Sequence, residues 1–301
     1  MAQAAIRKLV VVGVGLIGGS VALALRSRDA VGEVVGVGRS QANLDDALAA
    51  GVVDRTRTLA QDWPAEIADA DAVVVAAPVS QFPSLFAAMA PKLSPTVIVT
   101  DAGSTKQDVV AAARAHLGPG LARFVPAHPI AGTEHSGAKA AFATLYEGRR
   151  VILTPLSQTA ADAVDQATRL WEACGARVSS LSAERHDRIY AAISHFPHML
   201  SAVYMASIAG RADAGEVTSY AGTGFRDVTR IAASSPEMWR DIGLANRGAL
   251  LAELEAFRAP LDALERALRE GDGPALEALL AVAAWARRSW AAQRDDPGAV
   301  E

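Results

Sequence analysis

The sequence predicts a mostly parallel α/β domain at residues 1–181, an all-α helical domain at 182–294 and a short tail at 295–301. Three observations support this fold class. Short runs rich in Val and Ile alternate with alanine-rich helical stretches in the first part. After Ser182, a residue suited to cap a helix, the strand pattern stops and only helical periodicity remains. The 301 residues also amount to about twice a typical single domain.

Runs of β-branched and apolar residues predict the strands of the first domain, and helical patterns lie between most of them. Near-continuous Val/Ile strands separated by helices are typical of a parallel sheet that is covered on both faces. We predict strands at residues 8–12, 33–37, 72–76, 97–100, 123–126 and 151–154. We predict helices at residues 18–28, 41–50, 82–90 and 106–116. A helix at 160–174 and a strand at 177–181 extend this domain.

The second domain is predicted to contain helices alone, at residues 183–209, 235–256, 260–269 and 273–293. In the last of these, apolar side chains recur near one face, as an amphipathic helix requires. Helices this long and this apolar, in so small a domain, often bury a face against another subunit. We therefore predict a homodimer that forms through the helical domain.

Composition limits the partners that we expect. The residues are 51% hydrophobic and 21% charged, and the formal net charge is −4, so a basic surface for nucleic acid is not predicted. The single cysteine, Cys174, can form no internal disulfide, which fits a reducing, cytoplasmic location, and we expect it to be an inert small hydrophobe. The apolar run at 9–25 resembles a secretory signal, but its glycines suit an apolar helix poorly. We expect no targeting segment, no transmembrane helix and no membrane partner.

A glycine motif follows the first predicted strand and opens the first predicted helix. Gly13 permits a tight turn, Gly15 lets the backbone approach a pyrophosphate, and Gly18 lets the helix pack closely on the strand. The helix N-terminus, where Leu16 and Ile17 lie, supplies free N–H groups and a partial positive charge for phosphates. In this context the motif predicts a Rossmann-type domain that binds a dinucleotide cofactor. A glycine-rich turn without a ligand is the alternative.

The tip of the second predicted strand bears on which dinucleotide binds. An acidic residue at this tip usually binds the ribose 2′-hydroxyl of NAD. Arg39 and Ser40 stand there instead, and a guanidinium fork with a hydroxyl suits a 2′-phosphate. The sequence therefore favours NADP over NAD, with a merely solvated arginine as the alternative. Pro78, just after the strand at 72–76, is also assigned to the cofactor site.

Two polar segments follow predicted strands, where open α/β sheets bind their ligands. Ser104 comes after the strand at 97–100 and before a helix, so it could point at the reactive ring of the cofactor or cap the helix. His128 lies between Pro126 and Pro129 in a stiff, extended segment suited to a fixed hydrogen-bond acceptor. A structural or solvated role is the alternative for this histidine.

A third polar segment lies in the helical part. Pro197 falls inside a helical run, so it should free a backbone carbonyl and kink the helix near His195. Such a break is more easily explained by a site than by packing. His195 and His198 stand three residues apart, which allows a metal pair, but no nearby carboxylate or cysteine completes a ligand set, and we predict no metal.

Two arginines follow this segment. Arg226 and Arg230 are four residues apart and would share one face of a helix. A role in a site is one interpretation of this pair. An ion pair with Asp227 or Asp187 is the alternative, above all for Arg226.

Taken together, these segments resemble the prephenate/arogenate dehydrogenase family of tyrosine biosynthesis. The matches run in order from Gly13 to Asn246, and most lie outside the generic nucleotide fingerprint. After the glycine loop they are Asp101-x-Gly-Ser104-x-Lys106, His128-Pro-Ile-Ala-Gly-Thr-Glu134, His195-x-Pro-His198, Gly224-Phe-Arg226-Asp-x-Thr-Arg230 and Pro236-x-Met-Trp239-x-Asp241.

The resemblance implies an enzyme that oxidatively decarboxylates prephenate, arogenate or both, with hydride transfer to NADP or NAD. The products would be 4-hydroxyphenylpyruvate or tyrosine. By resemblance, His128 accepts a hydrogen bond from the ring hydroxyl, Ser104 orients that hydroxyl, and Arg230 binds a substrate carboxylate. The remaining positions of the substrate pocket are matched by His195, His198, Glu134 and Arg226. We expect neither the mutase segment nor the regulatory domain that some relatives carry.

Two other functions compete with this one. A hydroxyacid dehydrogenase of the 6-phosphogluconate type shares the layout, but that class needs a catalytic lysine in its helical half, and this sequence has none after Lys139. A non-catalytic NADP-binding sensor or scaffold would explain the glycine loop. It would leave His128, His195 and Arg230 without a use.

Overall fold

A computed structural model describes residues 6–133 and 135–295, with side chains as far as residue 292. The chain divides into two compact units, Met1–Ala249 and Leu250–Glu301. The domain boundary predicted after residue 181 stays a prediction. The predicted tail lies outside the described residues beyond Asp295.

A six-stranded sheet forms the centre of the first unit. Its strands are β1 (Ile6–Val12), β2 (Val31–Gly38), β3 (Arg55–Thr58), β4 (Ala72–Val75), β5 (Ile98–Asp101) and β6 (Phe124–Val125). All are parallel and lie in the order β3-β2-β1-β4-β5-β6. In this Rossmann order the direction of winding reverses between β1 and β4, which leaves a crevice for a ligand. The predicted fold class is therefore confirmed.

Both faces of this sheet are buried, as expected for a parallel sheet. Successive residues of a strand point to opposite faces. In β1, Leu9 and Val11 consequently pack into one hydrophobic core, while Val10 and Val12 pack into the other. Burial on both faces holds the carboxyl edge of the sheet, where the glycine loop begins, in a fixed position.

Five helices accompany the strands: α1 (Leu16–Arg26), α2 (Gln41–Ala49), α3 (Phe82–Met89), α4 (Gln107–His116) and α5 (Ala161–Ala173). Each was predicted from the sequence, with ends that differ by two residues at most. Cys174 follows α5 and is completely buried. Burial raises the pKa of its thiol to about 12, which agrees with the inert role predicted for it.

A second sheet has three strands, β7 (Ala127–Pro129), β8 (Arg150–Leu153) and β9 (Arg177–Ser180). β8 pairs antiparallel with β7 and parallel with β9. The last two predicted strands are thus present, but in a sheet of their own. His128 lies within β7, which places it in a hydrogen-bonded strand with a defined register opposite Ile152.

Two strand predictions need correction. The run predicted at 123–126 ends at Val125, because Pro126 has no N–H with which to continue the ladder, and the chain then changes sheets. β3 is missing from the predicted strands. Its sequence, Arg-Thr-Arg-Thr, has no apolar run because it lies at the edge of the sheet and is only partly buried.

The helical part opens with a run that the structure divides in three. α6 (Ala183–Tyr190) passes into a π-helical turn at Ala191–His195, and α7 (Phe196–Ala209) follows. Pro197 cannot donate the backbone hydrogen bond of a regular helix, and the irregular turn lies directly before it. The helix is thus irregular at the place where the sequence predicts a kink. Turns of π-helix are frequent at functional sites.

Short elements complete the first unit. They are α8 (Ala214–Ser219), α9 (Thr223–Thr229), a 3₁₀ turn at Arg230–Ala233 and α10 (Pro236–Ala245). α8 was not predicted. Arg226 and Arg230 do not share one regular helix, because α9 ends at Thr229 and Arg230 begins the tighter turn.

Two long helices remain, α11 (Arg247–Glu270), which continues into the second unit, and α12 (Gly273–Asp295). The helix break predicted at 257–259 is wrong: the chain breaks at Asn246, whose side chain is hydrogen-bonded elsewhere, and Pro260 lies inside α11. Among the described helices, none combines the length and the apolar character needed to cross a membrane.

Candidate active site

The glycine loop between β1 and α1 has the geometry that a dinucleotide requires. Gly13 has a φ of +101°, and a Cβ there would lie 2.4 Å from the carbonyl oxygen of Ala76. A Cβ on Gly18 would lie 2.2 Å from the carbonyl oxygen of Gly13. Packing therefore requires both glycines. At Gly15, by contrast, no atom lies within 4 Å of the Cβ position, so the missing side chain leaves open space for a pyrophosphate at the N-terminus of α1.

A cleft of about 300 Å³ lies at the carboxyl edge of the sheet. α1 has no side-chain cap, so the N–H groups of its first turn, which includes Leu16 and Ile17, lack intrahelical partners and suit an anion. The cleft lies beside this turn and extends towards α10. Its lining includes Ile17, Pro78, Ser104, Ser136, Met238 and Asp241.

The tip of β2 carries Arg39 and Ser40, both exposed. The Ser40 hydroxyl caps α2 by accepting the N–H of Asn43 at 3.3 Å. Arg39 makes no ion pair with any described residue, so its guanidinium is available to an anion. Asn43, which the sequence analysis missed, donates to the carbonyl of Val14 at 2.6 Å and accepts the N–H of Ala138 at 2.9 Å. It thereby joins α2 to the glycine loop.

Ser104 does not cap α4, which was one of its two predicted roles. The carboxylate of Asp187, on α6, accepts the backbone N–H groups of Lys106 and Gln107, each at 2.8 Å. A carboxylate from a different element therefore satisfies donors at the N-terminus of α4 and interacts favourably with the helix dipole. Ser104 is left to line the cleft.

A buried ion pair supports the loop that carries Ser104. The Nζ of Lys106 donates to Asp101 and, at 2.7 Å, to the carbonyl of Ala127. Asp101 also accepts the N–H groups of Gly103 at 2.8 Å and Ala127 at 2.9 Å. Burial raises the pKa of Asp101, while the ammonium of Lys106 and the two N–H donors oppose that rise. The pair ties the end of β5 to the start of β7.

His128 ends a line of three side chains. Its Nδ1 lies 2.8 Å from Nε2 of His186, and Nδ1 of His186 lies 2.8 Å from Oδ1 of Asp187. The ring of Tyr190 packs against both imidazoles, with centroids 4.9 Å from that of His128 and 4.5 Å from that of His186. Nε2 of His128 makes no hydrogen bond to a described residue. We call this arrangement the Asp187–His186–His128 line.

The surroundings keep the imidazole of His128 neutral. Burial lowers its pKa well below 6.5, and the nearby His186, Lys106 and His195 lower it further. Burial also lowers the pKa of His186, against the effect of its hydrogen bond to Asp187. Burial alone would raise the pKa of Asp187, but hydrogen bonds from His186 and from two backbone N–H groups hold it below its ordinary value. The line thus consists of two neutral rings and one carboxylate.

His195 is completely buried beside this line. Its Nδ1 lies 3.1 Å from Nδ2 of Asn246, an amide nitrogen that also donates to the carbonyl of Asp187 at 2.8 Å. Because the amide nitrogen can only donate, Nδ1 of His195 accepts and its Nε2 carries the proton. That Nε2 has no hydrogen-bond partner within the described residues. Burial lowers the pKa of His195 to about 4, although the charge of Asp187 and the backbone of Ser104 act to raise it.

His198 lies on the next turn of the helix. Its Nδ1 donates to the carbonyl of Ser194 at 2.9 Å, and its ring stacks on Trp239 with centroids 3.8 Å apart. Burial lowers the pKa of His198, and the positive charge of Arg230 lowers it further. The hydrogen bond to the Ser194 carbonyl acts to raise it. The turn that begins at Arg230 packs against α7, the helix that carries His198.

The structure brings most of the predicted substrate-site residues together. The rings of His195 and His198 both pack against Trp239, with centroids 6.1 Å and 3.8 Å from its ring, and Asn246 joins His195 to Asp187. The side chains of Arg226 and Arg230 are exposed and make no ion pair with a described residue, so the predicted alternative of pairing with Asp227 or Asp187 is not observed. No described contact joins Arg226 to the histidines. Glu134 lies outside the described residues.

Sequence reasoning missed His186 and Tyr190, and it named Asn246 only as the last position of the family resemblance, without a role. His186 and Tyr190 lie at ordinary helical spacing in α6, and Asn246 was placed in a helix interior. Nothing in the local sequence distinguishes them from structural residues, because their partners lie on other elements.

The fold, the glycine loop with its cleft and the neutral imidazole of His128 together define a dinucleotide-dependent dehydrogenase. Sequence profiles support this class: the nucleotide-binding domain of prephenate dehydrogenase matches residues 21–180, and the dimerization domain of prephenate dehydrogenase matches residues 182–282. Cyclohexadienyl dehydrogenase of Zymomonas mobilis is 36% identical over 269 residues, which make up 89% of this chain and 90% of that protein.

Solved structures agree with the sequence comparison. Prephenate dehydrogenase from A. aeolicus, in complex with hydroxyphenyl propionate and NAD⁺, superposes with a TM-score of 0.85 at 33% identity, over 94% of this chain and 98% of that one. Synechocystis arogenate dehydrogenase gives a TM-score of 0.78 at 29% identity, over 94% and 99% of the two chains.

The chain therefore belongs to the prephenate dehydrogenase family, as its sequence motifs indicate. It is an oxidoreductase that uses a nicotinamide cofactor. Within the described part of the chain, no group of three or more His, Cys, Asp or Glu side chains is arranged to hold a metal ion.

The two kinds of glycine in the loop make a testable contrast. Gly15 has a φ of −112°, which any residue adopts, and open space at its Cβ, so Gly15→Ala should fold normally but place a methyl group where the pyrophosphate binds. We expect cofactor affinity to fall roughly 10- to 100-fold, as for the loss of one or two charge-assisted hydrogen bonds. Titration of cofactor binding by fluorescence measures this.

Gly13→Ala serves as the comparison. There the methyl group meets the backbone of Ala76 and the φ is unfavourable for alanine, so the unfolding temperature should fall. Normal cofactor affinity in Gly15→Ala would contradict the placement of the pyrophosphate.

Proposed function

We propose that this protein catalyses the oxidative decarboxylation of prephenate, arogenate or both, giving 4-hydroxyphenylpyruvate or tyrosine in tyrosine biosynthesis. The observation that carries the proposal is the neutral imidazole of His128, whose Nε2 is left for a ligand. The names of the relatives support this substrate class, since they include prephenate, arogenate and cyclohexadienyl dehydrogenases.

The chain's own residues are assigned to proton handling and orientation. Nε2 of His128 accepts the hydrogen bond of the substrate's ring hydroxyl and takes its proton as the carbon beneath it is oxidised. Ser104, at the cleft, orients that hydroxyl. A bound nicotinamide ring would supply the hydride acceptor for the same carbon. The electron pair of the bond to the departing CO₂ enters the ring, which becomes aromatic, and His128 returns the proton to the phenolate oxygen. Formation of the aromatic ring makes the reaction effectively irreversible.

Arg230 is assigned to a substrate carboxylate. Binding a carboxylate requires a positive charge, and His198 is a poor source of it because burial and Arg230 both lower its pKa. The guanidinium remains charged and can bind a carboxylate through two parallel hydrogen bonds. His195, His198, Arg226 and Glu134 are proposed as further residues of the pocket.

Arg230→Ala should chiefly raise the KM for substrate. A charge-assisted hydrogen bond contributes about 1.5–3 kcal/mol, so we expect KM to rise roughly 10- to 100-fold with a smaller change in kcat. The KM of Arg230→Lys should lie between that of the unaltered enzyme and that of Arg230→Ala, because lysine keeps the positive charge but cannot form two parallel hydrogen bonds. Arg211→Ala is the matched control, because Arg211 is already paired with Asp213. An unchanged KM in Arg230→Ala would remove Arg230 from this role.

The lowered pKa of His128 predicts the pH dependence. The base must be neutral in the free enzyme, and a folded-state pKa below 6.5 keeps it neutral to lower pH. We therefore expect kcat/KM to stay constant as the pH falls from neutral through 6.5, and to decline only as the pH reaches the lowered pKa. Steady-state rates across this range measure it. A half-maximal point at or above pH 6.5 would contradict the environment assigned to His128.

Within the nicotinamide cofactors, we infer a preference for NADP. Arg39 at the tip of β2 is exposed and unpaired among the described residues, which suits a 2′-phosphate. The Ser40 hydroxyl accepts from the backbone of α2 and remains able to donate to the same phosphate. Comparison of kcat/KM for the two cofactors tests the inference, and a clear preference for NAD would overturn it.

A homodimer through the helical part is also proposed. Residues 182–282 match a family profile described as a dimerization domain. Several large apolar side chains on the helices are exposed in the single chain: Val203, Leu251, Leu261, Val282 and Trp285. Covering them against a second copy would remove apolar surface from water. Light scattering that shows a monomer at micromolar concentration would overturn this.

A steady-state assay of both substrates with both cofactors is the direct test of function. Reduced cofactor should form with at least one substrate, and CO₂ should appear in equal amount. Absence of both products with every combination would favour the alternative of a cofactor-binding sensor or scaffold.

A further inference from the structure

The Asp187–His186–His128 line contains a chain of hydrogen bonds whose proton positions can be deduced. Each of its two contacts is 2.8 Å long. The rings of His128 and His186 come from β7 and α6, 58 residues apart in sequence. Each neutral imidazole carries one N–H and one lone pair, so fixing one ring fixes the next.

The carboxylate determines the first proton. Asp187 accepts three hydrogen bonds, from the backbone N–H groups of Lys106 and Gln107 and from the ring of His186. A carboxylate can only accept, so Nδ1 of His186 must carry its proton. Nε2 of His186 then has the lone pair. Nδ1 of His128 must donate to it, which leaves the lone pair of His128 on Nε2.

No other group in the described structure competes for these positions. The charged or titratable groups that interact with the line are Lys106, Asp101, Asp108, His195 and Tyr190. The ammonium of Lys106 is already engaged with Asp101 and a backbone carbonyl. Nδ1 of His195 accepts from Asn246, and Tyr190 meets the two imidazoles through its ring.

The carboxylate that orders the line is itself held in place. Its two oxygens join the N-terminus of α4, while the carbonyl of the same residue accepts a hydrogen bond from Asn246. α4 begins directly after the loop that carries Ser104. The side chain of Asp187 thereby connects the position of His128 with that of Ser104 at the cleft.

We propose that Asp187 and His186 are positioning residues, which fix the tautomer of His128 so that its Nε2 lone pair is presented to the substrate hydroxyl. This inference rests on the proposed function for its catalytic consequence, but the tautomer itself is a property of the free enzyme. In the opposite tautomer Nε2 would carry a proton and could not accept one. A neutral imidazole held in the wrong tautomer is ineffective as a base, as is known for other enzymes.

The tautomer is measured by NMR of protein labelled with ¹⁵N-histidine, without substrate. The chain has six histidines, and the spectrum of His128→Asn assigns the signals of His128. In the unaltered protein we expect Nδ1 of His128 to give the shift of a protonated nitrogen and Nε2 that of an unprotonated one. In His186→Leu, which removes the acceptor, the two shifts should move towards each other.

Kinetics of matched variants provide the second measurement. His186→Leu should lower kcat on the order of 10²-fold, the low end of the range for positioned acid–base groups, with little change in KM. His186→Gln should remain within about tenfold of the unaltered enzyme, because its amide can donate to Asp187 and accept from His128 with only weakened hydrogen bonds. Asp187→Ala should resemble His186→Leu, and if it fails to fold, the two His186 variants still decide the matter.

The outcomes separate this inference from the proposed function. If the unaltered enzyme is active but His186→Leu keeps both its kcat and the shifts of His128, the inference is overturned. If the shifts change as expected while the unaltered protein oxidises neither substrate, the tautomer assignment is supported and the proposed function fails. Equal losses of kcat in His186→Leu and His186→Gln, with unchanged shifts, would reduce His186 to a packing residue and also overturn the inference.

Discussion

His128→Asn should lower kcat by about 10² to 10⁴, the usual contribution of a positioned acid–base group. The asparagine amide can occupy the position of Nδ1 and keep a hydrogen bond to His186. No atom of the shorter side chain reaches the position of Nε2, so the substrate hydroxyl loses its acceptor. Cofactor affinity should be unchanged, because the glycine loop and α1 do not contact this side chain. Steady-state rates with saturating substrate measure kcat, and a cofactor titration measures the affinity for the cofactor.

The matched control for this variant is His116→Asn. His116 lies at the exposed end of α4, so the same substitution there should leave kcat as it is. A kcat in His128→Asn equal to that of the control would exclude His128 as the base. Loss of cofactor binding in His128→Asn would instead indicate that this histidine holds β7 and the cleft in shape.

The parts of the fold that were predictable from the sequence depend on local patterns. The glycine loop was found because the roles of Gly13, Gly15 and Gly18 follow from spacing alone, between a strand and a helix. The break before Pro197 was found because the missing N–H is a property of one residue. These features do not depend on which other elements lie nearby.

Features set by tertiary contacts were not predictable in the same way. β3 has an apolar-poor sequence because it is an edge strand, a fact known only from the sheet. The helix break at Asn246 arises because its amide binds Asp187 and His195, which lie on α6 and in the π turn. The sequence instead placed the break before Pro260, where the structure has an uninterrupted helix.

The candidate site shows the same division. His128 and Ser104 could be named because they follow strands, and Arg230 because the motif resemblance includes it. His186 could not be named, because its function depends on a partner 58 residues away. For Ser104 the sequence left two roles open, capping α4 or facing the cofactor. The structure excludes the first, because the carboxylate of Asp187 accepts the N–H groups at the start of α4. Residues proposed to act on substrate can thus be visible in a sequence when the residues proposed to orient them are not.

Lys106→Met should be the most destabilising of the substitutions considered for the first unit. The ion pair between Lys106 and Asp101 is completely buried, and removal of one partner leaves an uncompensated carboxyl in the core. Breaking a buried pair in this way costs about 3–5 kcal/mol. The carbonyl of Ala127 loses its donor as well, next to His128, the proposed base. We therefore expect a lower unfolding temperature and also a lower kcat in whatever fraction remains folded.

Two comparisons identify the cause of that loss. Lys139→Met removes an exposed pair with Asp46, and exposed pairs contribute about 0–1 kcal/mol, so its unfolding temperature should barely change. The double variant Asp101→Asn/Lys106→Met no longer buries a charge that lacks a partner, while the asparagine oxygen can still accept a backbone N–H. It should therefore be more stable than Lys106→Met alone. If the double variant instead unfolds at a lower temperature than Lys106→Met, the lost stability comes from packing around the lysine side chain and not from the unpaired carboxyl.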